Sequence, residues 1–338
     1  MSRYLVTFKP SGKYFFGNEK GFDFNGKNDT YFIRSDRLPL QTTVFGALRF
    51  LLLPEKGFEA AKKYADIIGA KSFNIEAEGQ SFGVIKGISP VFLVNNDEWF
   101  IPTPFDHDES ADGDVYTPFT DYERIQTLDG EKLFTSQYNA KLGTADSFMS
   151  LSDCRIEDSL FSSSVQVGIN RRNTQDGFFK REYILLKDGF SFAVIADIDD
   201  DSLDGRRDAA LLGQCKTAFA VCFRKYDGES PEKLASRAIS SRRGDVNQKS
   251  FIYFMSDFYL GEQGVSGLYS NFLFAITNPR YYRSFMTEGS SVVKGGKLHR
   301  LIRAGSFAIP SESFDYELTE KQKNAATVGF NHLVSEKE

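Results

Sequence analysis

Apolar and polar positions alternate from Arg3 to Lys9, the two-residue period of a half-buried strand. A stretch rich in Gly, Asn and Asp follows from Tyr14 to Arg34 and predicts an irregular excursion. Leu38 to Leu53 then changes period. Val44, Phe45, Ala47, Leu48, Leu51 and Leu52 cover too much of a helical circumference for a surface helix, so this helix is expected to be packed on most sides. Phe58 to Ile68 predicts a second helix, stopped by Gly69. Short strands are expected at Gly83 to Ile88, Val91 to Val94 and Trp99 to Ile101, with Asn95-Asn96-Asp97 turning the last two into a hairpin. Asp106 to Ser164 is polar and irregular, and a domain junction is placed there. Beyond it, Val165 to Asn170 and Phe178 to Leu186 predict a long hairpin, Phe190 to Ala196 a further strand, and Leu234 to Ser240 a helix. Strands are expected at Phe251 to Leu260, Leu273 to Thr277 and Leu301 to Ile309, ahead of a charged tail. Strand, helix and hairpins in this order are an α+β pattern.

The length of 338 residues is enough for two cores, and the expected division is 1–150, 151–310 and a tail at 311–338. An aromatic share of 14% is high, but aromatic residues are also what strands select, so it does not by itself indicate base stacking. No apolar run approaches the length of a membrane span, and the first residues are too short and too alternating for a signal peptide; a cytoplasmic protein without membrane contact is expected. Cys154, Cys215 and Cys222 are spaced too widely for a metal knuckle. The net charge of -5 argues against a generally basic nucleic-acid binder. Charge is segregated, however, with base gathered at 171–181, 237–243 and 280–303, which leaves room for one RNA-facing side.

Three segments could carry binding chemistry. In the helix at Leu38 to Leu53, Thr42 or Thr43 can cap the first turn, whose free N–H groups form a seat for an anion. Gly46 suggests close approach of another backbone, and Arg49 needs a carboxylate or a phosphate as partner. A structural ion pair is the competing account. In the hairpin, Arg171 and Arg172 at the tip with Lys180 and Arg181 on the return strand would present cations to a phosphodiester backbone, or would only keep the ribbon soluble. In Lys294-Gly295-Gly296-Lys297-Leu298-His299-Arg300, continued to Arg303, glycines and cations again suit phosphate. Enzyme classes thin out on counting. His107, His299 and His332 are the only histidines, too few for a dinuclear metal hydrolase, and no GxSxG elbow accompanies them. His107 and Asp108 read as a chance pair in an acidic loop. Asp197, Asp199 and Asp201 start like a calcium loop, but Ser202 stands where glycine is required, so a solvated acidic turn is expected. No phosphate-cradling GxxxxGK[ST] or GxGxxG occurs, and no cofactor or metal is expected.

In order, the segments resemble the RAMP superfamily of CRISPR-associated proteins, and most closely the subunit three family of the type III-B Cmr effector complex. The resemblance rests on four stretches: Leu38 to Leu53; Ile88 to Leu93 with Trp99 to Asp106, a strand pair ending in a Pro-x-Pro-x-Asp turn; Val167-Gly168-Ile169-Asn170 with Asp176 to Phe179; and Ala304-Gly305-Ser306-Phe307. It implies two ferredoxin-like (RRM-like) domains with a hairpin insertion and no catalytic role. It also implies that the chain grips the 5′ handle of the CRISPR RNA (crRNA) and touches the large polymerase-like subunit and a backbone subunit. By position, Thr42, Thr43 and Arg49 would face handle phosphates, the hairpin around Arg171 would act as a thumb, and the late glycine segment would complete the grip. The superfamily's stricter paired-glycine loop is replaced here by Gly295-Gly296 and Gly305, which weakens the case for Lys297 and Arg300. Rival readings are a metal-independent crRNA-processing endonuclease using His299, the equivalent type III-A subunit, and a purely structural adaptor.

Overall fold

A computed structural model describes residues 1–17, 32–55, 62–109, 116–141, 143–144, 146–169, 178–213, 215–244, 246–248, 250–262, 264–288, 291–294, 297–311 and 316–336. Its centre is a nine-stranded sheet. The strand Ser2–Pro10 lies inside it, antiparallel to Phe190–Ile198 on one side and Thr217–Lys225 on the other. Beyond Phe190–Ile198 come Phe92–Asn95, Glu98–Pro102, Phe148–Ser150 and Ile156–Glu157, with Ile85–Ile88 also pairing Phe190–Ile198; Arg207–Leu212 is the opposite edge. The expected hairpin is present, with Asn95 opposite Glu98 and Asn96 in the left-handed region at φ 55°.

Both faces of this sheet are buried, and alternation along its strands sorts the side chains. Tyr4, Val6, Phe8, Phe192, Val194, Leu93 and Phe100 point into one core, closed by helix α1 (Gln41–Leu52). Leu5, Ala193, Ile195, Phe92, Val94, Trp99 and Ile101 point into a second core. That one is closed by helix α3 (Pro231–Arg242) and by a four-stranded sheet ordered Phe272–Ile276, Phe307–Pro310, Phe251–Phe254, Leu333–Glu336. Helix α2 (Ala65–Ile68), helix α4 (Gly264–Tyr269) and helix α5 (Glu320–Thr327) are shorter. The fold is α+β with predominantly antiparallel sheets.

Several expectations are corrected. The large sheet runs across the expected boundary near residue 150, because the first strand finds its partners at 190–198 and 217–225. In the segment expected as a charged tail, the described residues carry structure: Thr319 and Gln322 form a capping box that starts α5, and Leu333–Glu336 pairs with Phe251–Phe254. The strand expected over Leu301 to Ile309 is two, His299–Ile302 and Phe307–Pro310, divided by a turn in which Gly305 has φ 93°. A Cβ at Gly305 would lie 2.7 Å from the Phe105 ring, so both conformation and space demand glycine there. The Asp197 turn keeps Asp199 and Asp201 exposed, as a solvated acidic turn would, and Arg3 meets Asp197 at 3.0 Å while Ser2 donates to Asp201. His107 is not in a solvated acidic loop. It is buried, with Nδ1 2.9 Å from Asp106 Oδ1.

Asp106 is fully buried and also accepts a hydrogen bond from the buried Arg243 at the end of α3. The Arg243 guanidinium lies 4.7 Å from the Phe307 ring centroid, and a second nitrogen donates to the Gln248 carbonyl at 3.0 Å. Removing one member of such a pair strands the other charge in an apolar interior. Arg243→Ala is expected to cost about 3–5 kcal/mol of stability, read as a lower urea midpoint.

Candidate nucleic-acid interface

Helix α1 starts without a side-chain cap. Leu40 occupies the N-cap position, and Thr43 and Val44 both donate to the Leu40 carbonyl, at 2.9 and 3.3 Å. This corrects the expectation for Thr42 and Thr43, which lie inside the first turn. Pro39 fixes the entry to the helix, so the hydroxyl residues fall two and three places too late to cap. Thr42 instead sits within hydrogen-bonding reach of the Tyr282 hydroxyl. Gly46 is exposed and a Cβ there would meet nothing within 4 Å, so no backbone of this chain passes close to it. Phe50, one helical turn on, is 45% exposed.

Just before this helix, residues from five distant segments enclose a cavity of about 310 Å³. Leu38, Pro102, Phe105 and Phe148 give it apolar walls. Its polar groups are mostly held in place. Arg280 bridges Asp36 and Asp257, the latter at 3.1 Å, and Asp257 also accepts the Ala304 N–H at 3.0 Å. Burial alone would lower the Arg280 pKa, but the two carboxylates override it and raise it. Arg37 donates to the carbonyl and the carboxylate of Asp146, at 2.8 and 2.9 Å, and stacks 5.5 Å from the Phe161 ring centroid. Arg303 lines the cavity with an exposed side chain, while its N–H donates to the Asn278 carbonyl at 2.8 Å.

The sequence-predicted cations divide by location. Arg300 and Arg303 follow the strand Pro279–Tyr282, whose Tyr282 reaches α1, so these two and Thr42 belong to one region. Lys180 and Arg181 stand beside Phe32 and Ile33 in a parallel pairing, three and more residues ahead of the cavity's Asp36 and Arg37. Lys180 is exposed, whereas Arg181 packs 4.9 Å from the Phe15 ring centroid with Cys215 Sγ at 3.3 Å. Arg171 and Arg172 lie outside the described residues, as does the Lys294 side chain; the main chain of Lys294 ends the strand Ser291–Lys294. Two cations are engaged elsewhere. Arg49 donates to the carbonyls of Ile68 and Gly69 at 2.7 and 3.0 Å, closing the C-terminus of α2, and burial lowers its pKa. Lys297 pairs with Glu76 at 2.6 Å and holds that carboxyl below its ordinary range.

His299 is buried, its ring edge-on to Tyr259 at 5.5 Å between centroids and 6.5 Å from Tyr282; burial lowers its pKa. Among the described residues no three His, Cys, Asp or Glu side chains gather as a metal site would need. Asp36, Arg37, Asn278 and Arg280 escaped the sequence reading. Their available signal was modest: a charged pair just ahead of Pro39, and the base-rich span that opens at Arg280.

Three of the four stretches used for the resemblance thus meet around one cavity: the approach to α1, the Pro-x-Pro-x-Asp turn and the Gly305 turn. A family model described as "CRISPR-associated protein (Cas_Cmr3)" matches residues 6–280. The chain belongs to this family. No curated protein matches the sequence. Among solved structures, the fold is similar to a chain in the cryo-EM structure of the Type III-B Cmr-beta bound to cognate target RNA and AMPPnP, state 1. That match has 10% identity and a TM-score of 0.51, over 98% of this chain and 95% of the other. A chain of the Type III-B Cmr-beta bound to cognate target RNA gives 10% identity and a TM-score of 0.52, over 98% and 96%. Family membership therefore agrees with the resemblance read from the motifs, and the α+β architecture agrees with these neighbours.

Two outcomes follow from this geometry. Arg49→Ala should cost about 2 kcal/mol through the two lost charged hydrogen bonds, seen in thermal unfolding, with RNA retention unchanged. For His299 the sign is set by a folded pKa below the ordinary 6.5: the unfolded chain takes up the proton first as pH falls. Its contribution to stability is complete above about pH 6.5 and declines on acidification below it. His299→Phe should flatten that part of a urea-midpoint-against-pH profile.

Proposed function

We propose that this chain is the noncatalytic subunit of a type III-B CRISPR effector complex that binds and caps the 5′ handle of the crRNA and joins the large polymerase-like subunit to the backbone subunits. Membership of the Cas_Cmr3 family gives the class. The observation that carries the RNA reading is the cavity ahead of α1, bordered by Arg37, Arg280 and Arg303 and flanked by the base of the Lys180 ribbon. Cations beside a narrow apolar opening suit a single strand whose phosphates supply affinity while its bases are splayed. The sheet order Thr217–Lys225, Ser2–Pro10, Phe190–Ile198, Phe92–Asn95, with α1 following the first strand, supports a ferredoxin-like unit as the first of two.

The nuclease reading fares worse on geometry. A general acid or base must reach the proton it moves, and His299 is enclosed by two tyrosine rings on a strand facing the first core. The adaptor reading predicts assembly that is indifferent to nuclease. In the double variant Lys180→Glu with Arg303→Glu, RNA retention by the purified chain should fall by about tenfold or more at low salt, with a shallower salt dependence. Filter binding across a salt series checks this, and unchanged retention with an unchanged slope overturns it.

A further inference from the structure

A second cavity, of about 380 Å³, lies along the strand Leu333–Glu336, with His332 bordering it at one end of the strand and Glu336 at the other. We propose that this groove seats an extended segment of a partner protein, which joins the four-stranded sheet as a fifth strand beside Leu333–Glu336. That segment carries apolar side chains on one face and a lysine or arginine for Glu336. The inference stands apart from the RNA reading above.

The main-chain bonds show which groups are on offer. Leu333–Glu336 pairs on one side only, with Phe251–Phe254. The Met255 N–H donates to the His332 carbonyl at 3.0 Å, in register with Tyr253 opposite Val334 and Phe251 opposite Glu336. In an antiparallel pair, residues that exchange hydrogen bonds alternate with residues that do not. Leu333 and Ser335 are of the second kind, so their N–H and C=O groups point to the unpaired edge. Phe254, opposite Leu333, has the same phase: its N–H donates to the Ser306 carbonyl at 2.9 Å and its carbonyl accepts the Gly305 N–H at 2.9 Å, both on the far side. Leu333 and Ser335 are also residues that line the cavity. Edge strands are commonly blunted by lysine or proline, and Leu333-Val334-Ser335-Glu336 has neither.

The lining sets the chemistry of the occupant. Ile252, Pro310, Tyr316 and Leu318 give apolar walls. Most polar side chains there are engaged. His332 has Nδ1 2.7 Å from Glu232 and Nε2 3.1 Å from the Ala326 carbonyl. Asn331 accepts the Tyr259 N–H at 2.6 Å, and the Tyr316 hydroxyl accepts from Gln322 at 2.5 Å. Glu336 accepts from Ser240 and pairs with no Lys or Arg among the described residues, so the groove ends at a carboxylate suited to a cation. A four-residue strand spans about 13 Å, the reach of a short extended segment. A helix or a small apolar molecule would fill the walls and leave the edge N–H and C=O groups unmet, whereas an added strand uses both.

The test uses the full chain and a fluorescein-labelled peptide of alternating valine and threonine ending in lysine, read by anisotropy. Wild type should bind it saturably. N-methylation of the peptide at alternate residues should weaken binding by about tenfold or more, as the loss of two main-chain hydrogen bonds would. Ser335→Pro should do the same, because it removes an N–H that faces the edge and leaves the ladder to Phe251–Phe254 in place. Glu336→Lys should reverse the preference, favouring a peptide that ends in glutamate. If Ser335→Pro does not fold, the methylated peptide reads the same bonds on the wild-type chain. A methylated peptide held as tightly as its parent reduces the groove to an apolar pocket and overturns strand addition, as does a wild-type chain without saturable binding. An unchanged preference in Glu336→Lys overturns the role given to that carboxylate.

Discussion

The ion pair between Asp106 and Arg243 is the contact on which the arrangement of the rest depends. It lies in the core that joins the large sheet to the four-stranded one, and it fixes the Pro-x-Pro-x-Asp turn from behind. Phe105, next to it, donates its N–H to the Gly305 carbonyl at 2.9 Å and lays its ring where only a glycine can face it. The Gly305 turn in turn sets Arg303 and Ala304 on the cavity wall. A charge pair far from solvent thus determines the position of a cation at the surface. Its desolvation cost is large, and a pair of apolar residues would stabilise as well; a directional contact constrains the turn in a way that apolar packing does not.

The same economy of fixed polar groups recurs around the cavity. Asp257 serves Arg280 and the Ala304 N–H at once, and Tyr253 donates its buried hydroxyl to the Pro102 carbonyl at 2.6 Å. Each tie crosses between segments more than a hundred residues apart or across a turn of the second sheet. Little reorganisation is then left for binding, so the ordering cost that a ligand would otherwise meet is already met by folding.

Much of this was legible in the sequence because local signals were strong. The α1 pattern, the Asn96 turn and the long hairpin formed as their residues predict, and the helix expected over Leu234 to Ser240 is present and longer, at Pro231–Arg242. The resemblance to the family was carried by order and spacing, and the family match agrees with it. Failures arose where distant partners decide. Nothing near Arg49 in sequence shows that its guanidinium closes α2, and nothing near Lys297 names Glu76. Thr42 and Thr43 looked like caps because composition was right while Pro39 had already set the phase. Residues beyond 311 looked like a tail because few are apolar, yet Ala325, Val328 and Phe330 pack into the first core and Val334 into the second.

The strand Ser2–Pro10 ends between two others of the large sheet that lie far downstream of it in sequence. Ser2 finally faces Ile198, and Tyr4 faces Lys225. Until synthesis has passed those positions, both long edges of Ser2–Pro10 are open to any other nascent chain. Folding of the central layer therefore waits for residues 190–225 and is dominated by contacts of high sequence separation, which are correspondingly slow to form. The surface near α1 and Arg303 needs that layer and residue 303 as well, so whatever docks there meets a central sheet that has already closed.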